Sequence, residues 1–149
     1  MAHSVVFFLA PNDEAAAATH RRRPGREFQS VTCRFVEPDS AIAEWAVYFE
    51  EPSAGLPVPE ALHRWWPAWV TAPSNDGVEV FAVPQRLTRA LAGARSTEME
   101  ELAGRWATRL RATDGDDMTG DDLSAVLRGV AGLAASAVRT GGRLYSWSF

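Results

Sequence analysis

Residues 123–149 read LSAVLRGVAGLAASAVRTGGRLYSWSF, and this stretch holds both hydrophobic periods that decide the fold class. Leu123, Val126, Leu127, Val130, Leu133, Ala134, Ala137 and Val138 recur at helical spacing, which places them on one stripe of an α-helix. Gly141-Gly142 closes that helix, because glycine enters the left-handed conformation of a helix C-terminus without a Cβ clash. From Leu144 to Phe149 the period drops to that of a strand. A long helix turning directly into a strand predicts an α+β chain.

Upstream of this stretch, Thr119 with Asp122 reads as a capping box for the last helix. Thr97 with Glu100 reads as a second box, opening a helix whose face carries Met99, Leu102, Trp106 and Leu110. Val78 to Val83 is a strand after the Pro73–Gly77 turn, and Pro84 opens a short helix through Leu87 and Leu91 that closes at Gly93. Near the N-terminus, Ser4 to Leu9 is a short apolar run, as in a strand covered on both faces. Phe28 to Val36 alternates, with Val31, Cys33 and Phe35 on one face. Pro38-Asp39-Ser40 offers a helix start, with Asp39 or Ser40 as cap and a stripe of Ile42, Trp45 and Phe49 ending near Glu51. Val47-Tyr48-Phe49 would suit a strand equally well. Residues 12–27 read as a mobile basic loop with one short helical turn after Asp13. The expectation is a single α+β domain over residues 1–149. It has a small sheet of about four strands against roughly four or five helices, these concentrated in the C-terminal half.

At 149 residues and 46% hydrophobic, the chain can bury one core without disulfide or metal staples. A net charge of −4 argues against nucleic acid as the main partner, since phosphate binding needs a basic field. All fifteen basic residues are arginine, which excludes a Schiff-base lysine, a P-loop lysine and a lysine general base. Cys33 is the only cysteine, so an internal disulfide and a multi-cysteine metal site are excluded. Val5 to Leu9 is too short to span a membrane. It has no basic segment before it and is followed by Arg21-Arg22-Arg23, unlike a signal peptide. A cytoplasmic protein without membrane contact is expected.

The order of elements resembles the YfbM-like bacterial α+β family in four places. These are the strand Ser4 to Leu9, the Trp-containing helix from Glu37-Pro38-Asp39 to Phe49, the strand-to-helices run from Val78 through Trp106, and the final helix and strand from Leu123 to Trp147. The chain is also similar to small actinobacterial proteins that end in a Leu-Tyr-x-Trp stretch. The resemblance implies the α+β fold and brings no catalytic residues with it.

The acidic run Asp114 to Asp122 invites a calcium-loop reading, but its spacing fails. Counted from Asp114, Met118 and Thr119 stand where a ligand and a glycine belong, and Ala125 where a glutamate belongs. His3, His20 and His63 share no metal-binding frame. His63 beside the tryptophans is the best placed general base, yet no nucleophile partners it. Cys33 reads as a small core residue, with Arg34 on the opposite strand face. Arg21, Arg22, Arg23 and Arg26 could hold an anion or acidic partner; a solvated loop is the alternative. Glu101, Arg105 and Arg109 read as an exposed helix face with one ion pair. No phosphate-loop, dinucleotide or nucleophile-elbow motif is present, and no cofactor or metal is implied.

Trp65, Trp66 and Trp69 place half of the chain's six tryptophans within five residues. Pro59 suits the first turn of a helix whose apolar face would be Leu62, Trp65, Trp66, Trp69 and Val70. Pro67 interrupts it, so the helix stops at Trp66 or kinks. The shared face favours burial of most of the cluster against Trp45, Trp106 and the last helix; the break favours one or two indoles turned outward. The functional expectation is a non-enzymatic interaction protein that binds another bacterial protein or its own copy. Its contact residues would be Trp65, Trp66 and Trp69, with His63 and Arg64 beside them. The alternative is a small enzyme or ligand-binding protein, with a pocket between sheet and helices near His63 and Arg64 or near Cys33.

Overall fold

The C-terminal stretch forms a helix, α6 (Gly120–Thr140), and a strand, β5 (Arg143–Ser148). Gly141 joins them at φ +74°, a conformation that disfavours any side chain with a Cβ. Gly142 is needed for space: a Cβ there would lie 2.9 Å from Leu9 Cδ1 and 3.3 Å from the Ala10 carbonyl. The structure is a computed structural model and describes residues 4–34, 36–51, 59–114 and 120–149.

β5 is the middle strand of an antiparallel sheet. On one side it pairs with β1 (Val5–Ala10), from Val5↔Ser148 to Ala10↔Arg143. On the other it pairs with β4 (Glu79–Ala82), from Glu79↔Ser148 to Ala82↔Tyr145. β2 (Ser30–Cys33) lies outside β1, and β3 (Ala68–Trp69) outside β4, giving the order β2-β1-β5-β4-β3. The other helices are α1 (Asp13–Ala17), α2 (Pro38–Glu50), α3 (Pro59–Arg64), α4 (Gln85–Gly93) and α5 (Ser96–Asp114).

Alternation along β1 and β5 feeds two cores, one on each face of the sheet. Val5, Phe7 and Leu144 meet Ile42 and Trp45 of α2, Leu87 and Leu91 of α4, Leu102 and Trp106 of α5, and Leu127 of α6. Val6, Phe8, Val80, Tyr145 and Trp147 face the other way, under Ala16 of α1 and the half-buried Phe28. The continuous apolar run in β1 is thus explained by helices on one side and the 13–28 segment on the other. α1 is the helical turn expected after Asp13; Asn12 caps it by accepting from the Ala15 N–H at 2.9 Å. A 3-10 turn, Ala18–His20, follows, and Thr19 and Pro24 are buried.

The expected α+β domain with helices weighted to the C-terminal half is observed, and five local expectations are corrected. The helical face Leu62-Trp65-Trp66-Trp69-Val70 does not form. α3 ends at Arg64 and the chain re-enters the sheet as β3, because Pro67 lacks an N–H and excludes its predecessor from helical geometry. α2 starts at Pro38 as its first helical residue, without a side-chain cap; Asp39 instead accepts from the Ser40 N–H at 2.7 Å. α5 starts at Ser96, ahead of the Thr97–Glu100 box. Glu98 accepts from the Arg95 N–H at 2.9 Å, so the reciprocal carboxylate acts two residues earlier than expected. Val138 is 55% exposed, outside the buried stripe of α6. Arg109, expected on an exposed face, is 8% exposed and bonded to Glu44 of α2, itself 3% exposed. The Thr119–Asp122 box and the middle of the acidic run, 115–119, lie outside the described residues.

Candidate functional site

The turn from α3 into β3 carries two of the four large hydrophobic residues exposed among the described residues, Trp66 and Trp69. Glu51, at the end of α2, ties the end of α3 down: Arg64 Nη2 donates to Glu51 Oε1 at 3.0 Å, and the Trp65 indole N–H donates to Oε2 at 3.3 Å. Trp65 is consequently half-buried against the main core. Past this anchor, Trp66 is 37% and Trp69 42% exposed, which corrects the expectation that most of the cluster is buried. His63 is exposed and stacks on Trp66, with ring centres 5.6 Å apart and planes at 29°. Trp69 rests on the fully buried Phe81 of β4, ring centres 4.5 Å apart.

Strand pairing sets where the backbone of Trp69 points. The Val70 N–H donates to the Val80 carbonyl at 2.9 Å, and Trp69 sits opposite Phe81. Hydrogen-bonded and open pairs alternate in an antiparallel ladder, so the N–H and C=O of Trp69 face away from β4, along the outer edge. No charged residue occurs between Trp65 and Asn75 to shield that edge. Two indoles at these exposures leave on the order of 200 Å² of aromatic surface. That is smaller than a functional patch of roughly 300–600 Å² and far below what an obligate dimer buries. It fits an anchor for a short segment.

The other sequence candidates are dispersed. Cys33 packs against the main core from β2, and burial pushes its thiol from 9.0 up to about 11. A neutral thiol is therefore favoured by the fold, a contribution present below pH 9 and lost as pH rises through about 11. At pH 8 the thiolate population falls roughly a hundredfold relative to the unfolded chain. Iodoacetamide is expected to alkylate native Cys33 far more slowly than the urea-unfolded chain; equal rates would contradict its burial. Arg21, Arg22, Arg23 and Arg26 are exposed, and Arg23 lies over the Trp147 ring at 5.5 Å.

His20 makes contacts that no local pattern signals. Its Nδ1 lies 2.8 Å from Thr71 Oγ1, and its Nε2 lies 2.9 Å from Asp76 Oδ2 and 3.2 Å from Ser74 Oγ. The Ser74 hydroxyl, the Val78 N–H and His20 together hold the Asp76 carboxyl below the usual carboxylate range. Thr71, His20 and Asp76 stand in a hydroxyl–imidazole–carboxylate order. The group acts as a clasp, fastening the 3-10 turn to the β3–β4 connection. On the same face the Tyr145 hydroxyl donates to Asp13 Oδ1 at 2.6 Å, which fixes α1 over β5 and pushes the phenol up, burial being the larger cause. Tyr145→Phe is expected to cost about 1–2 kcal/mol, the net worth of a hydrogen bond to a carboxylate that is partly solvated. Urea unfolding measures it, and an unchanged midpoint would show the bond to be idle.

Two clefts flank the Gly141-Gly142 turn. One, of about 170 Å³, lies between α4, the end of α6 and β5, and the other, of about 340 Å³, lies between α6 and the β1–β2 connection. Neither is lined by His63, Arg64 or Cys33. No group of metal-ligand side chains occurs among the described residues, and none of their helices is long and apolar enough to cross a membrane. Comparisons with protein-family models, curated proteins and solved structures gave no match.

Proposed function

We propose that this chain is a non-enzymatic interaction protein whose β3 edge takes an extended, apolar segment of a protein partner, within the cytoplasm. The observation that carries this reading is the pairing of two exposed indoles, Trp66 and Trp69, with an outward backbone N–H and C=O at Trp69. Strand addition uses both parts: main-chain hydrogen bonds supply affinity and side chains at alternate positions supply selectivity. Phe81 and Glu51 hold Trp69 and Trp65 in place beforehand, so little side-chain entropy is lost on contact. Kinship with the YfbM-like family, proposed from the order of elements, adds no residue to this reading. A copy of the chain fits the same edge less well, because the exposed aromatic area is small for a stable dimer.

Selection from a displayed library of extended peptides tests the proposal. Selected peptides are expected to share apolar residues at alternate positions and to lose at least tenfold in affinity on Trp69→Ala. Trp66→Ala should weaken them while changing stability by no more than about 0.5 kcal/mol, as for a surface residue. Val138→Ser, on another exposed apolar residue, should leave binding intact. Absence of enriched peptides, or binding indifferent to both tryptophan changes, overturns the reading. Sedimentation of the free protein separates the remaining case, a dimer that dissociates on Trp69→Ala.

A further inference from the structure

The turn from His20 to Arg26 carries the densest positive charge in the sequence, four of the fifteen arginines within six residues. Arg21, Arg22, Arg23 and Arg26 are all exposed, and none enters an ion pair among the described residues. The backbone beneath them is held in place. The Arg22 N–H donates to the Thr19 carbonyl and the Phe28 N–H to the Gly25 carbonyl, each at 3.2 Å, while Thr19 and Pro24 are buried. Six residues of chain span at most about 20 Å, so the four guanidinium groups share one short stretch of surface. Two carboxylates lie beside the turn: Glu27, close against Gly25, and Asp76, which already accepts from Ser74 and Val78 and holds His20. Asp13 of α1 is taken up by Tyr145 and Arg143. The turn stays positive, although the chain as a whole carries −4.

His20 fastens this turn to one end of the β3 edge. Its ring bonds Thr71, which is two residues past Trp69 and so within about 7 Å of chain from it. A strand laid along the edge passes the exposed indoles and then the arginines. We propose that the segment taken by the β3 edge carries Asp or Glu residues at its Thr71 end, and that the 21–26 turn binds them. This rests on the β3 edge being a site of strand addition, and it adds the partner's charge to that reading. Alternation allows both contacts at once. Trp69 stands opposite Phe81 on the helix-covered face of the sheet, whereas the turn covers the face of Trp147. Successive side chains of an added strand point to these two faces in turn. Guanidinium forks match carboxylates through paired N–H donors. The range of the charge selects a short acidic segment over a long polyanion. Its field is screened within about 8 Å at physiological salt, and an extended nucleic acid or a membrane plane also meets the acidic remainder of the chain.

Selection from the library of extended peptides, carried out on the native protein and on the double variant Arg21→Gln with Arg22→Gln, tests the pairing. Peptides enriched on the native protein should carry Asp or Glu to one side of their alternating apolar residues. Those enriched on the variant should keep the apolar pattern and lose the acidic bias. Enriched peptides are then synthesised with and without their acidic residues changed to Asn or Gln, and fluorescence anisotropy compares them. The change should weaken binding to the native protein about fivefold at low ionic strength, as for a few exposed charge pairs. It should have no effect in high salt or on the arginine variant. Arg128→Gln, exposed on α6 across the sheet, should behave as the native protein. Thermal unfolding of the arginine variant should match that of the native protein, since both side chains are exposed. Apolar enrichment without acidic bias overturns this proposal and leaves the β3 edge reading standing; no enrichment on either protein overturns both. Acidic bias that survives in the arginine variant also overturns it, as does labelled oligothymidylate binding through these arginines more tightly than the acidic peptides.

Discussion

Glu44→Ala is expected to destabilise the fold by about 3 kcal/mol or more, because it removes the buried carboxylate to which Arg109 is bonded between α2 and α5. Both residues are charged and almost wholly excluded from water, at 3% and 8% exposure. Taking such groups out of water costs several kcal/mol each, and their mutual attraction offsets that only while both are present. For a domain of this length the melting temperature should fall by roughly 6–12 °C. Removing both charges together is a different matter. The pair Glu44→Leu with Arg109→Leu eliminates both buried charges, and a well-packed apolar replacement is often neutral. Glu44 Oε1 is already buried without a hydrogen-bond partner, so the native pair is incompletely satisfied. The double replacement should therefore recover most of the loss. A single substitution costing under 1 kcal/mol would falsify the account of Glu44 as a buried anion held by Arg109.

Where the fold was legible in the sequence, one period governed a whole element. α6 and β5 follow from the helical stripe through Leu127 and Leu133, the glycines at 141 and 142, and the alternation from Leu144. β1, β2, β4 and α4 follow in the same way. The misreadings arise where two local rules competed. Pro67 was legible as a break, but helical spacing on either side of it suggested one face; a strand places Trp69 by its partner Phe81, which no local pattern reveals. Arg109 shares helical spacing with Glu101 and Arg105, so charge alone put it outside. Its burial depends on Glu44, 65 residues earlier. His20 likewise finds its partners 51 to 56 residues away.

Trp45 and Trp66 are the same side chain in opposite settings, and their substitution should separate core from contact. Trp45 is fully buried; its ring centre lies 5.4 Å from that of Phe7 on β1, and 5.4 Å from Trp106 on α5 with the planes at 87°. It joins the sheet to two helices, so Trp45→Ala should cost about 3–5 kcal/mol, the range for truncating a buried aromatic residue. Each aromatic pair lost accounts for roughly 0.5–1.5 kcal/mol of that. One effect runs the other way. The Trp45 indole N–H is buried with no acceptor, a desolvation cost of about 1–3 kcal/mol carried by the native fold. Phenylalanine has no such group, so Trp45→Phe should lose packing but shed that cost, ending within about 1–2 kcal/mol of the unaltered protein. Urea unfolding reads all three variants, with the midpoint moving and the slope constant. The expected order of loss is Trp45→Ala, then Trp45→Phe, then Trp66→Ala near zero. If Trp45→Phe costs as much as Trp45→Ala, the indole N–H has an acceptor after all, and that bond contributes to the stability of this junction.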